Sequence, residues 1–261
     1  MIGKKGSMYV RGNSMERHGW QVFHALVVVK TVGLPTLAAH KNTGMNSALP
    51  SDKTIIKHIA IAGNIGAGKT TLTELLARHF GWDVHYEDTQ NNPYLSDFYM
   101  DMKRWSFNLQ VFFLSSRYQQ MLKIQQGNRT VVQDRTIYED AFIFAPNLAD
   151  MGLMERRDFE NYTTLFQSIV SQIKAPDLMI YLKASVPTLV DHIQSRGRDY
   201  EGSISLDYLK RLNERYDNWI SGYREGRLLV INVDQLDFQN NKEHSARVIE
   251  MVHGELHGLF K

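Results

Sequence analysis

The sequence predicts an α/β fold, an open parallel sheet of about five strands with helices on both faces. Three observations carry this. Strand-like and helical runs alternate from residue 54 to the end of the chain. The first strand runs into a glycine-rich loop that opens a helix. A later strand ends on a single carboxylate, Asp134. Alternation of this kind places parallel strands between crossover helices. Taken in order, residues 54–62 are rich in β-branched side chains and stop at Gly63, which reads as a buried strand. A helix is expected over 69–79 and a second strand over 82–86. Asn91-Asn92-Pro93 signals a turn and a helix start. Residues 104–126 form a long amphipathic stretch closed by Gly127, and 130–134 a third strand. Helices are expected over 141–149 and 158–174. Pro176 introduces a strand at 178–182, and Pro187 sits in the first turn of a helix that runs to about 195. A helix at 206–221, a strand at 227–233 and a helix at 242–259 complete the order. No repeat, low-complexity tract or linker interrupts the chain after residue 54.

The chain of 261 residues has no cysteine, which excludes a disulfide scaffold, a thiolate metal site and a cysteine nucleophile. Its formal charge of +2 is unevenly spread. Residues 1–51 carry six basic side chains against Glu16 alone, whereas the remainder carries 24 basic and 27 acidic ones. The body is therefore slightly acidic, which argues against a nucleic-acid partner. Residues 1–51 hold an apolar run broken by Lys30, too interrupted for a membrane span or a secretory signal. We expect a disordered extension, or a true start near Met45, with a transit peptide as the other reading. The functional domain is expected over 52–261.

Gly63-Asn64-Ile65-Gly66-Ala67-Gly68-Lys69-Thr70 is a complete G-x-x-x-x-G-K-T motif, set between a predicted strand and a predicted helix. This makes the fold a P-loop NTPase type. Glycines let backbone N–H groups turn in on a phosphate, and the helix N-terminus adds positive potential. Lys69 is suited to the β- and γ-phosphates, the Thr70 hydroxyl to Mg²⁺, and Thr71, next in the first helical turn, to the bound nucleotide. Nucleotide binding follows; a reaction does not yet.

Other candidates cluster at strand ends, where ligands bind in open α/β sheets. Glu87 follows the second strand and reads equally as a general base or as a solvated loop carboxylate. Asp134 resembles a metal-contacting Walker B carboxylate. Arg135 beside it reads as a phosphate or Glu87 partner, or as a structural salt bridge. Gln110 and Arg117 are seven apart on one helix face with Phe113 and Leu114. Buried there, they need partners such as Asp140 or a ligand base; exposed, they need none. Arg196-Gly197-Arg198 reads as a mobile arginine lid for phosphoryl oxygens or as a solvated basic turn.

Together these residues resemble the deoxynucleoside kinase family over about residues 54–261. The resemblance rests on the P-loop, Glu87 with Asn91-Asn92-Pro93-Tyr94-Leu95, and Trp105-Ser106-Phe107 through Gln110 to Ser116-Arg117. It extends to Asp134-Arg135-Thr136-Ile137-Tyr138-Glu139-Asp140, the arginine lid and Asp237-Phe238. The wording from Asp134 to Asp140, followed by Ile143-Phe144-Ala145, is most similar to the bacterial deoxyadenosine/deoxyguanosine kinase branch. The resemblance implies ATP and Mg²⁺, a deoxynucleoside acceptor, a cytoplasmic location and a homodimer packed through 104–126 and 158–174. It implies Glu87 as base on the 5′-hydroxyl, steadied by Arg135. Gln110 would bind the nucleobase in a pocket shaped by Arg117 and Asp140, with Phe144 stacked on it. Tyr99 and Glu201 would hold the sugar 3′-hydroxyl. Arg196 and Arg198 would close over the donor phosphates, and Asp237 and Phe238 would contact the donor adenine. His192 departs from the arginine that animal members often place there. The rival readings are a thymidylate-type monophosphate kinase and a non-catalytic relative that keeps only the fold.

Overall fold

The computed structural model describes residues 56–89, 91–198, 201–202 and 204–257. The expectations for residues 1–51 lie outside the described residues, as do the first residues of the predicted first strand and the last of the final helix. Five strands form one all-parallel sheet: β1 (His58–Gly63), β2 (Asp83–His85), β3 (Val131–Asp134), β4 (Leu178–Lys183) and β5 (Arg227–Asn232). Their order is β2-β3-β1-β4-β5. β1 is central and buried along its whole length, because it pairs with β3 on one side and β4 on the other. The chain thus reverses its direction of travel across the sheet at β1. The crevice beyond the carboxyl end of that strand is where such sheets bind ligands.

The helices are α1 (Lys69–Phe80), α2 (Leu95–Met100), α3 (Met102–Gln126), α4 (Ile137–Glu139), α5 (Ala145–Asp150), α6 (Arg156–Val170), α7 (Val186–Arg196), α8 (Leu206–Ser221) and α9 (Lys242–His257). Side chains alternate across the strands and so feed two cores. Ile59 and Ile61 of β1 join Leu72 and Leu76 of α1 and Val248 and Val252 of α9. Ala60 and Ala62 join Leu109 and Leu114 of α3, Leu212 and Tyr216 of α8, and Tyr181 of β4. Small residues are needed on this second face, since the Tyr181 and Tyr216 rings stack there with centroids 5.8 Å apart. Helices therefore cover both faces, as the alternating pattern requires. No helix among the described residues is long and apolar enough to cross a membrane.

Local chemistry sets the ends of the helices. Asp101 caps α3 by accepting from the Arg104 N–H, and Ser205 caps α8 through the Tyr208 N–H. The sequence pattern misplaces one helical segment. The expected helix over 141–149 begins at Ile137, because Thr136 and Glu139 form a reciprocal capping box. Residues Asp140–Phe144 then form a π-turn before α5. The wider turn brings Asp140 and Phe144 to the same cleft. α6 ends at Val170, four residues before the expected stop at 174, and α2 adds a short helix after the Asn-Pro turn.

Candidate active site

A cleft of about 1220 Å³ opens at the carboxyl edge of the sheet. The P-loop from Gly63 to Thr70 forms one wall. Gly66 and Gly68 have φ of +83° and +87°, a region that side chains with Cβ avoid. A Cβ on Gly66 would lie 2.7 Å from the Leu189 carbonyl oxygen, so α7 presses on the loop apex. Asn64 fixes the loop from below. Its Nδ2 donates to the Leu209 carbonyl at 3.0 Å and to Asn213 Oδ1 at 2.7 Å, and its Oδ1 accepts from the Ile65 N–H. Lys69 Nζ donates to the Gly63 and Asn64 carbonyls at 2.9 and 3.0 Å. Burial, and then nearby Arg135, bring this amine down to about 8. Ala67 is buried beneath the loop, whereas Thr70 and Thr71 line the cleft at the start of α1.

The second wall is a buried charge cluster. Glu87 Oε1 accepts from Arg117 Nη2 at 2.8 Å and lies 2.9 Å from Arg135 Nε. The second contact is a close ion pair rather than an aligned hydrogen bond, since the Nε–H finds no acceptor along its axis. Burial alone would raise the Glu87 carboxyl, but Arg135, Arg117 and Lys69 overcome it and hold the group at about 2. Arg117 Nε donates to Asp140 Oδ2 at 2.5 Å, and both residues are almost wholly buried. Burial pushes the Asp140 carboxyl up, against the opposing pull of Arg117 and Arg135. Arg135 is the one non-glycine among the described residues with positive φ, at 70°. This strained turn aims its guanidinium at Tyr216 Oη, 3.0 Å away, and lays it 4.5 Å over the Phe144 ring. Gln110 is buried, lines the cleft, and its Oε1 has no partner. An orphaned amide oxygen facing a cleft is matched to a ligand donor. Tyr99 lines the same wall.

The lid is organised by Glu201. Its carboxylate receives Arg196 Nη2 at 2.6 Å and Arg196 Nε at 3.1 Å, with Arg198 Nη1 3.5 Å away. Neighbouring residues 199, 200 and 203 lie outside the described residues. Glu201 thus holds both lid arginines, and both reach the cleft. His192 also reaches the P-loop, with Nδ1 2.8 Å from the Gly66 carbonyl oxygen. At the far end, Phe238 is buried with its ring against Gly68, while Asp237 is held in a turn by accepting from the Asn240 N–H. Thr70 Oγ1 donates to Asp134 Oδ2 at 2.5 Å, and the buried Asp134 Oδ1 has no partner. Burial raises the Asp134 carboxyl. A hydroxyl beside a carboxylate with an orphaned oxygen fits a hard divalent cation. No group of three or more His, Asp or Glu side chains placed to hold a metal exists among the described residues, so such an ion would share its shell with phosphate and water.

Every site residue predicted from sequence among those described lines this cleft or supports its walls. Three residues that sequence reasoning passed over hold it together. Buried Glu139 accepts from the Gly63 N–H at 3.2 Å and the Thr136 N–H at 2.7 Å. Tyr216 Oη lies 2.8 Å from Glu139 Oε1 and 2.9 Å from the Gly63 carbonyl oxygen. Asn213 joins Asn64 to the Ala184 carbonyl. The Thr136-x-x-Glu139 capping box was a readable signal for the first. Tyr216 and Asn213 come from a helix distant in sequence, and nothing local marks them.

Comparison with known proteins fits this geometry. The profile of the deoxynucleoside kinase family matches residues 59–257. A deoxyadenosine/deoxycytidine kinase of Bacillus subtilis is 37% identical over 201 residues, covering 76% of this chain and 93% of that protein. A deoxyguanosine kinase of the same organism is 35% identical, covering 73% and 93%. The solved structure of a deoxyadenosine kinase from M. mycoides with bound dATP aligns with a TM-score of 0.67 at 25% identity, covering 76% of this chain and 99% of that one.

Gly66→Ala is expected to weaken nucleotide binding by about tenfold or more in calorimetry, since a Cβ there meets backbone and requires a φ of +83°. An unchanged affinity would contradict the tight loop–α7 contact. The Glu87 pair also predicts a pH dependence. A carboxylate held at about 2 rather than 4.5 contributes stability that is complete above 4.5 and is lost as pH falls toward 2. Denaturant titrations should therefore show Glu87→Gln less stable than the parent at pH 6, with the gap closing over that window.

Proposed function

Because the chain belongs to the deoxynucleoside kinase family, we propose that it transfers the γ-phosphoryl group of ATP to the 5′-hydroxyl of a deoxynucleoside, preferentially a purine deoxynucleoside, with Glu87 as the base. The observation that carries the role of Glu87 is its carboxylate, held ionised between Arg117 and Arg135 in the cleft that also contains the P-loop. The kinase domain is assigned to residues 52–261, supported by the family match over 59–257.

The donor lies along the P-loop, where Lys69 and the backbone N–H groups of Gly66 to Thr70 meet its phosphates. Arg196 at the end of α7 and Arg198 just beyond it close on it, and Asp237 and Phe238 flank its adenine. The acceptor enters beside α3, with its base against Gln110, Phe144 and the Arg117–Asp140 pair, and its sugar near Tyr99 and Glu201. Thr70 and Asp134 would hold Mg²⁺, which when bound supplies charge neutralisation to the triphosphate. Glu87 accepts the proton of the 5′-hydroxyl as Arg135 and Lys69 face the developing charge. A carboxylate at about 2 is a weak base at neutral pH. A weak base suits a loose phosphoryl transition state, in which little nucleophilic push is needed. Catalysis then rests on positioning and charge more than on basicity. A monophosphate acceptor is disfavoured, because Glu87, Asp140 and Glu201 all line the acceptor half of the cleft. By family resemblance the enzyme is read as a cytoplasmic homodimer.

Glu87→Gln should lower kcat by about 10²- to 10⁴-fold while ATP still binds in calorimetry. Undiminished turnover would remove Glu87 from the base role. Assayed against deoxyadenosine, deoxyguanosine, deoxycytidine and thymidine, the enzyme is expected to favour the purines. A preference for thymidine or thymidylate would overturn the acceptor assignment. Light scattering should return twice the chain mass; a monomer would refute the dimer.

A further inference from the structure

β2 is only three residues long, and its ladder to β3 ends at His85. The Tyr86–Glu87 peptide therefore lies beyond the support of the sheet, although the carboxylate it carries sits within hydrogen-bond distance of two guanidiniums. A chain of side chains reaches this peptide from the interior. His58 Nε2 in β1 lies 2.9 Å from Gln133 Oε1 in β3. Gln133 Nε2 donates to Gln120 Oε1 of α3 at 2.8 Å, and Gln120 Nε2 donates to the Tyr86 carbonyl at 2.8 Å.

The polarity of this chain is fixed from one end. A carbonyl only accepts, so Gln120 must present its nitrogen to Tyr86 and its oxygen to Gln133. Gln133 must then present its nitrogen to Gln120 and its oxygen to His58, which must donate through Nε2–H. Neither amide can flip without breaking both of its bonds. Burial brings the His58 imidazole down to about 4, so at neutral pH the donor is the neutral Nε2–H tautomer. Gln133 is fully buried and His58 nearly so. Burying such groups is costly unless they are paired, and an aliphatic pair would fill the same space without that cost. A fully satisfied buried network instead specifies one geometry.

We propose that His58, Gln133 and Gln120 are positioning residues that hold the Tyr86–Glu87 peptide, and through it the Glu87 carboxylate, in register with Arg117 and Arg135. The proposal rests on the reading of Glu87 as the base. Gln120 is the accessible link, so its variants are expected to fold. Gln120→Glu still accepts from Gln133 but has no proton for the Tyr86 carbonyl; Gln120→Met removes both bonds without adding charge. With deoxyadenosine and ATP, each should lower kcat about tenfold with the KM for ATP unchanged. His58→Leu should lower kcat likewise, whereas His58→Gln, which keeps an amide N–H, should retain it. Gln120→Met combined with Gln133→Met should lose no more than the worse single variant, because both break one chain. In a Glu87→Gln background, Gln120→Glu should have no further effect on kcat. Wild-type kcat in both Gln120 variants, multiplying losses, or a matching rise in the KM for ATP would overturn the proposal. Failure of the underlying reading is seen separately, as full activity in Glu87→Gln, and would take the proposal with it.

Discussion

The site depends on a knot of buried charge. Glu87, Glu139 and Asp140 face Arg117 and Arg135, with Lys69 close enough to act on Glu87. Each group alone would be expensive to bury, and the removal of one leaves another uncompensated. The knot also joins elements far apart in sequence: the end of β2, the middle of α3, the end of β3, the π-turn and, through Tyr216, α8. Its three carboxylates and three cations balance. Asp134 adds a further negative group that faces Thr70 and the phosphate cradle, where a cation fits.

The sheet makes this knot possible. Parallel register brings the ends of β1, β2 and β3 to one edge, with Ile61 beside Asp134 and His85 beside Gln133. The P-loop, Asp134 and Glu87 are thereby neighbours although they lie far apart in sequence. The loop is then braced from outside by groups of α7 and α8: His192 to the Gly66 carbonyl, Asn213 to Asn64, and Tyr216 to the Gly63 carbonyl. Arg196 ends the same α7 that presses on Gly66, and Arg198 follows its Gly197 cap. A shift of that helix would therefore move both the lid and the loop apex.

Much of the architecture was legible because its signals are local. A β-branched run ending at glycine, a phosphate-loop motif and a proline at a helix start each act within a few residues. The helix over 141–149 was misplaced because its apolar run outweighed the capping box at Thr136 and Glu139, and because a π-turn has no distinctive sequence period. Gln110 and Arg117 were placed on one face, but seven-residue spacing alone left exposure open as the alternative to burial.

The sequence by itself determined the phosphate loop and the alternation of strands and helices, since these follow from residue type and short-range spacing, whereas Tyr99, Phe144, Glu201, Asp237 and Phe238 were pointed to by family resemblance alone. Only the tertiary structure decided which charges meet. Arg117 is shared between Glu87 and Asp140, Glu201 gathers both lid arginines, and Glu139 with Tyr216 ties the first strand to the eighth helix. The physical reason is range. A backbone turn is settled by its own few residues, but the state of a buried carboxylate is settled by whichever guanidinium the fold brings within about 3 Å of it.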